Sequence, residues 1–74
     1  MKYKVVIKPG QESGYVAFCP ALRGCVSQGP TKEAALANLR QAMELYLEAL
    51  IEDDLPVPEE EEIEYRELEV RAGG

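Results

Sequence analysis

The sequence predicts a single α+β domain in which one long helix packs on a small, mainly antiparallel sheet. Short runs of β-branched and aromatic residues, separated by Pro and Gly, extend to Gly29 and are typical of consecutive strands. The run that follows has apolar side chains at spacings of three and four, which predicts a helix. A chain of 74 residues buries only about 60% of its unfolded surface, so we expect a partner or self-association to add stability.

The first predicted strand is KYKVVIK, residues 2–8. Its alternating polarity is typical of a strand with one buried face. One face holds Tyr3, Val5 and Ile7, and the other holds Lys2, Lys4, Val6 and Lys8. Pro9 and Gly10 end the strand, because Pro lacks the backbone donor and Gly permits a tight turn.

The second predicted strand, YVAFC at residues 15–19, is apolar on both faces. An antiparallel sheet with one face in water normally alternates between apolar and polar positions. Two interpretations remain open. Either this strand is central and covered on both sides, or its second face, which holds Val16 and Phe18, is a contact surface.

The third predicted strand spans residues 25–28, between a turn at residues 20–24 and Gly29-Pro30. Three strands joined by short loops form an antiparallel meander. Cys19 and Cys25 flank the turn and would face each other in a hairpin, which is the geometry that a disulfide requires. We expect two reduced, packed thiols, because the cytosol disfavours disulfides.

The predicted helix runs from Thr31 to Asp53, with the Thr31 hydroxyl as its N-terminal cap. Its apolar stripe consists of Leu36, Leu39, Met43, Leu47 and Leu50, broadened by Ala35, Ala42, Tyr46 and Ile51. At 1.5 Å per residue the helix is roughly 30 Å long, which is enough to cross a four-stranded sheet. No Gly follows to cap its C-terminal end.

After the helix, the sequence predicts an extended acidic linker and a fourth strand. Leu55 to Pro58 is stiff because it contains two prolines, and Glu59 to Glu62 is an exposed run of like charges. Residues 63–70 form the fourth strand, which lies parallel to its neighbour because a helix connects it to the sheet. The simplest sheet places it beside the first strand, in the order 3-2-1-4, and leaves residues 71–74 as a flexible tail.

The composition argues against several classes of function. The formal net charge of −6 disfavours nucleic-acid binding and favours a basic protein partner. The chain has no His, so a nucleophilic Ser or Cys lacks its usual base. Four consecutive glutamates diverge along an extended chain and do not converge on one metal ion. We therefore predict no catalytic, cofactor-binding or metal-binding residues.

The N-terminus has no signal-peptide apolar region and no apolar run is long enough for a membrane span, so we expect a cytoplasmic location.

One further pattern extends over residues 1–70. Its most specific portion is Pro20-x-Leu22-x-Gly24-Cys25, followed by Gly29-x-Thr31-x-Glu33-Ala34. The other residues of the pattern are Tyr3, Pro9-Gly10, Gly14-Tyr15, Tyr46 and the ending Leu55-Pro56-Val57-Pro58. Together they resemble the HicB family of antitoxins, and in particular its single-domain members of the UPF0150 type.

The resemblance implies a partial RNase H-like fold in the order β-β-β-α-β, which agrees with the elements predicted above. It implies that the chain neutralises a small, basic HicA-type toxin, an mRNA endonuclease, by occluding the active face of the toxin. It also implies a homodimer or homotetramer. Many family members carry a C-terminal DNA-binding domain, and this sequence stops where that domain would start, so we expect no direct DNA binding. An RNase H-like nuclease needs a metal-binding carboxylate on the first strand, and residues 2–8 contain none, so we expect no enzyme.

The residues that we expect to bind a partner belong to three surfaces. They are Val16 and Phe18 on the second face of strand two, Leu22 and Arg23 in a protruding loop, and Glu59, Glu60, Glu61 and Glu62 as an electrostatic component. The alternative is a solitary homo-oligomeric module of the same fold, with a structural or ligand-binding role and no toxin. An adjacent gene for a small basic protein would favour the first hypothesis, and its absence the second.

Overall fold

The computed structural model of this chain describes residues 1–60, 64 and 66–73. It contains β1 (Val6–Pro9), β2 (Tyr15–Phe18), β3 (Val26–Gly29) and α1 (Lys32–Glu52). The strands form one antiparallel sheet in the order β1-β2-β3, and the helix packs on one face of it. The predicted α+β class, the meander and the helix are therefore confirmed.

The register of the strands defines two faces of the sheet. Ile7 of β1 and Ser27 of β3 both lie opposite Ala17, and this row faces α1. Neighbouring positions of a strand point to opposite faces. The next row, in which Phe18 lies between its partners on β1 and β3, therefore points away from the helix.

The core lies between the sheet, the turn after β2 and the first half of α1. The fully buried hydrophobic side chains of the described residues are Ala17, Cys19, Leu22, Cys25, Ala35 and Leu39. Leu39 belongs to the predicted stripe of the helix, whereas Leu36 is 40% exposed and Met43, Leu47 and Leu50 are half-buried. The predicted stripe faces the core as expected, but it is covered over only part of its length.

The helix is longer than the sheet that covers it. Each strand has four residues and is about 13 Å long, whereas the 21 residues of α1 extend about 31 Å. On the second half of the helix, Leu45 and Ile51 are 63% and 60% exposed. The prediction that Ile51 broadens the buried stripe was wrong, because the sheet does not reach that far along the helix.

The first strand is shorter than predicted. It begins at Val6 rather than at Lys2, so the prediction was wrong at the N-terminal end. Tyr3 and Val5 nevertheless pack against the core, which explains their alternation with lysines. The alternating pattern therefore correctly predicted which side chains pack against the core. It did not predict correctly which residues pair with a neighbouring strand.

The N-terminal end of α1 is fixed by a cap and by a close approach to β3. Thr31 Oγ1 accepts a hydrogen bond from the backbone N–H of Ala34 at 3.1 Å, which confirms the predicted cap. A Cβ atom added to Gly29 would lie 2.6 Å from the backbone nitrogen of Ala35. Gly29 is therefore required here because only a residue without a side chain lets the helix approach the strand so closely.

The C-terminal end of α1 is closed by two backbone hydrogen bonds. Asp54 has a φ of 58°, the left-handed conformation in which Gly is usual. Its N–H donates to the carbonyl of Ile51 at 3.1 Å, and the N–H of Leu55 donates to the carbonyl of Leu50 at 2.9 Å. The helix therefore ends in a Schellman motif in which an aspartate takes the position usual for glycine.

The predicted fourth strand is not formed within the described part of the C-terminal region. Residues 64 and 66–70 have no strand conformation and are exposed, while residues 63 and 65 lie outside the described residues. The linker before them passes beside the N-terminus, where Tyr3 Oη donates to the carbonyl of Pro58 at 2.6 Å. The order 3-2-1 of the first three strands is confirmed, and a parallel fourth strand stays a prediction.

Candidate functional site

The face of the sheet opposite α1 carries an apolar patch. We call it the outer sheet face and define it as Val6, Val16, Phe18 and Val26. Ala17 is fully buried against the helix, so its two neighbours on β2 point to the other side. Val26 is 55% exposed, and the other three side chains are half-buried. An apolar patch in contact with water is a common mark of a surface that binds another protein.

The sequence allowed two interpretations of β2: a central strand covered on both faces, or a strand whose second face is a contact surface. This strand is central, since β1 and β3 pair with it on either side. However, described residues cover only the face that points to the helix. Val16 and Phe18 therefore lie where the contact-surface interpretation placed them, although binding of a partner there stays a prediction.

Two residues of the outer sheet face were missed by the sequence analysis. Val6 and Val26 lie opposite Phe18 on the neighbouring strands and extend the patch to both edges of the sheet. The sequence contained one signal for this, because Val6 interrupts the row of lysines on its face of the first strand. The apolar cluster itself depends on strand register, which a single sequence specifies only weakly.

A lysine borders the outer sheet face. Lys8 Nζ lies 6.0 Å from the centroid of the Phe18 ring, at the outer limit of a cation–π interaction. Lys8 also lies opposite Val16 in the sheet. Its methylene groups can cover part of the ring in the free protein and move aside when a partner binds, because lysine side chains are flexible.

A shallow groove of about 420 Å³ extends the outer sheet face around the β3 edge. It is lined by Val16, Val26, Ser27, Gln28 and Asn38. The Asn38 side-chain amide donates to the carbonyl of Gln28 at 2.8 Å and links helix and strand there. The groove offers both apolar contacts and polar groups to a partner side chain.

The turn between β2 and β3 corrects one prediction. Leu22 was expected to protrude, but its side chain is fully buried and belongs to the core. Its backbone N–H donates to the carbonyl of Cys19 at 3.1 Å, and its carbonyl accepts from the N–H of Cys25 at 3.0 Å. These bonds fold the turn back over the sheet, so Leu22 is a structural residue. Arg23, its neighbour, is exposed as expected.

The two cysteines are free thiols and both are buried. Burial raises the pKa of the Cys25 thiol, and the nearby Cys19 adds to the effect. A thiol with a raised pKa is a poor nucleophile at neutral pH, because the thiolate is the reactive form. Cys25 is therefore a core residue with no sign of activation by Arg23.

The acidic linker lies near the N-terminus. Glu59 and Glu60 are exposed, and the Glu60 carboxylate accepts a hydrogen bond from the backbone N–H of Lys4. Glu61 and Glu62, the other two predicted contact residues of the linker, lie outside the described residues.

Within the described ranges, no three His, Cys, Asp or Glu residues gather where a metal ion could bind. No helix there is long and apolar enough to cross a membrane.

Comparison with known proteins identifies relatives over most of the chain. Residues 3–71 match the family described as the HicB-like antitoxin of bacterial toxin-antitoxin systems. A UPF0150 protein of Synechocystis is 49% identical over 59 residues, which cover 80% of this chain and 75% of the relative. A UPF0150 protein of Thermoplasma acidophilum is 41% identical over 58 residues, 78% of this chain and 84% of the relative. One from Helicobacter pylori is 57% identical over 44 residues, 60% and 61% of the two chains.

The fold and the site define a small α+β protein with a helix on one face of its sheet and an apolar patch on the other. The family match covers nearly the whole of that structure, including the turn and the helix cap that carried the resemblance. The chain belongs to the HicB-like antitoxin family of bacterial toxin–antitoxin systems.

Proposed function

We propose that this chain binds and neutralises a small, basic HicA-type mRNA endonuclease by occluding the active face of that toxin. The observation that carries the proposal is the outer sheet face, which presents Phe18 between Val6 and Val26 with no cover from the described residues. A buried aromatic anchor with aliphatic neighbours is the usual centre of a protein–protein interface. Membership of an antitoxin family supplies the class of partner.

The charge of the chain supports the same partner. The formal net charge is −6, and Glu59 and Glu60 are exposed at the end of the linker. An acidic protein attracts a basic ribonuclease over long range and speeds their association. In this proposal the outer sheet face supplies most of the affinity, the acidic linker supplies the steering, and Arg23 lies at the rim.

The proposal also covers the complete fold, the oligomeric state, the cellular location and the absence of enzymatic activity. The partial RNase H-like fold gains its fourth strand beside β1, in the order 3-2-1-4, and residues 1–70 form one domain with a tail at residues 71–74. The chain acts in the cytoplasm as a homodimer or homotetramer. It is not an enzyme, uses no cofactor, and does not contact DNA directly. The family resemblance supports these features, together with the sequence patterns that predicted them.

The test uses a candidate HicA-type toxin, a small basic ribonuclease. Wild-type protein and Phe18→Asp are each mixed with that toxin, and binding is measured by light scattering after size-exclusion chromatography. We expect a stoichiometric complex with wild type, loss of RNA cleavage, and at least tenfold weaker binding by Phe18→Asp. Leu45→Asp is the matched control, since Leu45 is exposed on the helix and distant from the outer sheet face. Equal binding by Phe18→Asp and wild type would contradict the proposed contact surface.

Salt provides a second test of the same complex. Exposed charges are screened over about 8 Å at physiological ionic strength, so steering by the acidic linker weakens as salt is added. We expect the association rate to fall with salt, and to fall less in the double variant Glu59→Gln/Glu60→Gln. An association rate independent of salt would contradict steering by the acidic linker, but it would not affect the proposal that the outer sheet face binds the toxin.

The second candidate function is a solitary homo-oligomeric module. Exposed apolar side chains outside the outer sheet face, such as Leu45 and Ile51 on the helix, favour it because a homo-oligomer would cover them. A homo-oligomer that ignores the basic protein and does not affect RNA cleavage would make this the better description of the chain.

A further inference from the structure

We propose that residues 66–72 of one chain add as an edge strand to the outer edge of β1 in a second copy. We call these residues the C-terminal strand segment. The second copy then supplies the fourth strand that the sequence predicts beside β1. The inference deepens the self-association that is part of the proposed function, and it does not depend on the toxin.

The C-terminal strand segment has the pattern of a strand, and its apolar side chains are left exposed by the described residues of its own chain. Its sequence, RELEVRA, alternates apolar and charged residues, so Leu68 and Val70 share one face and Glu67 and Glu69 the other. Leu68 is 84% exposed and Val70 is 85% exposed. An amphipathic strand with a bare apolar face is incomplete until a sheet or a helix covers that face.

β1 offers an edge to receive it. β1 is an outer strand, and no strand of the described residues pairs with its far side. Alternate N–H and C=O groups of an edge strand point outwards and remain available for another strand. The opposite edge of the sheet is less available, because the Asn38 side chain already occupies the carbonyl of Gln28 on β3.

A groove beside the N-terminal residues that lead into β1 fits the apolar face of the added strand. It has a volume of about 720 Å³ and lies between the N-terminal residues and α1, with Tyr3, Val5, Leu36, Met43 and Leu47 in its lining. A strand laid along the edge of β1 and continued beside the residues before it would place every second side chain over the groove. Leu68 and Val70 have that spacing.

Glutamates at the centre of the segment can pair with lysines at this edge. Lys2, Lys4 and Lys8 lie along the N-terminal residues and β1. The C-terminal strand segment carries Glu67 and Glu69, while Arg66 is paired with Glu64 and Arg71 lies near the end of the segment. Just before β1, the backbone N–H of Lys4 already donates to a carboxylate of the chain's own linker, that of Glu60. Opposite charges on adjacent strands stabilise their pairing and help to fix the register.

The position of the segment favours a second copy over its own chain. The linker passes the N-terminus at Pro58, where Tyr3 binds it, and the C-terminal strand segment beyond is exposed instead of lying on the sheet. The radius of gyration is 15.2 Å, whereas a compact domain of 74 residues has about 11 Å. Two copies related by a twofold axis can exchange these segments, and each exchange covers one groove.

The first test measures the dimer without any toxin. Sedimentation equilibrium of wild type is compared with Leu68→Asp/Val70→Asp, and Leu45→Asp is the control that alters an exposed apolar residue elsewhere. We expect a wild-type dimer, at least a tenfold higher dimer dissociation constant for the double variant, and no change for the control. Circular dichroism checks folding, which the double substitution should leave intact because both side chains are exposed in the single chain. An unchanged dissociation constant, or a wild-type monomer at every concentration, would overturn the proposal.

The second test distinguishes a second copy from the chain's own segment. Amide hydrogen exchange is measured for residues 2–8 and 66–72 at protein concentrations above and below the dimer dissociation constant. Pairing between copies predicts protection of both segments that is lost on dilution and lost in Leu68→Asp/Val70→Asp. Protection that does not depend on concentration would show pairing within one chain and overturn the proposal, as would the absence of protection at high concentration. Toxin binding by Phe18 variants is a separate measurement, so either idea can fail alone.

Discussion

Residues 6–39 and residues 40–60 contrast in how their apolar side chains are covered. In the first region Ala17 and Leu39 are fully buried. In the second, Leu45, Ile51 and Leu55 are 63%, 60% and 51% exposed. Two causes combine: full burial on α1 ends at Leu39, with Met43 and Leu47 beyond it only partly buried, and Leu45 lies on the side of the helix away from the sheet. We infer that the first region provides most of the stability of the domain, whereas the exposed side chains of the second contribute little to it.

The largest effect is expected when a side chain is removed from the core, which tests whether the first region is the more important for stability. Leu39→Ala should lower the free energy of unfolding by about 2–5 kcal/mol, because it leaves a cavity at a site that is only 1% exposed. So large a loss would unfold much of a domain of this size. Leu45→Ala, on the same helix but exposed, should change it by less than about 0.5 kcal/mol. Urea unfolding of both variants makes the comparison, and equal losses would show that the contrast is wrong.

The second largest effect is expected where the helix meets β3. Gly29→Ala should cost about 1–3 kcal/mol, because the added Cβ would press on the backbone at the start of α1. Gly73→Ala is the comparison without a clash: nothing lies within 4 Å of a Cβ there, so any loss reports only the strain of its φ of 72°. Thermal unfolding of the two variants measures the difference. A Gly29→Ala variant as stable as wild type would mean that the helix can shift away at no cost.

A smaller effect with the opposite sign is expected at the C-terminal end of the helix. Asp54→Gly should raise stability by about 0.5–1 kcal/mol, because Gly adopts a positive φ without steric cost and a negative charge leaves the helix C-terminus. Asp53→Gly removes the same charge at a φ of −87°, so it gains no relief of strain. If both substitutions stabilise equally, the charge is responsible and the left-handed conformation is not.

The smallest effect concerns the Cys25 thiol. Because its pKa is raised in the folded chain, the folded state keeps this proton to a higher pH than the unfolded state does. The contribution to stability is fully present below the ordinary thiol pKa of about 8.5 and is lost as the pH rises above it. We expect stability to fall less steeply between neutral and alkaline pH in Cys25→Ala than in wild type. Identical slopes in urea unfolding would contradict this.

Local signals in the sequence predicted most of the fold. The Thr31 cap and the spacing of apolar residues fixed the helix to within one residue at each end. Pro and Gly located the three strands to within a residue or so, apart from the start of β1. These features depend on neighbours along the chain, which a single sequence displays directly.

The features that the sequence did not predict depend on distant contacts. Leu22 looked like a loop residue, but the turn folds back and buries it between the cysteines on either side. Val6 and Val26 joined the outer sheet face only through the register of the strands. For the candidate site, sequence reasoning found Val16 and Phe18 because a strand that is apolar on both faces is conspicuous, and it missed residues whose roles arise from pairing.

The position of the core along the chain has a consequence for folding. The fully buried residues of the described chain all fall between Ala17 and Leu39, on elements that follow one another through short loops. Contacts between residues close in sequence form quickly, because little chain entropy is lost before each contact is made. This part of the chain can therefore fold while later residues are still being synthesised, since domains begin to fold during translation. The C-terminal strand segment, which is made after these residues, would then emerge beside a sheet whose three strands are already paired.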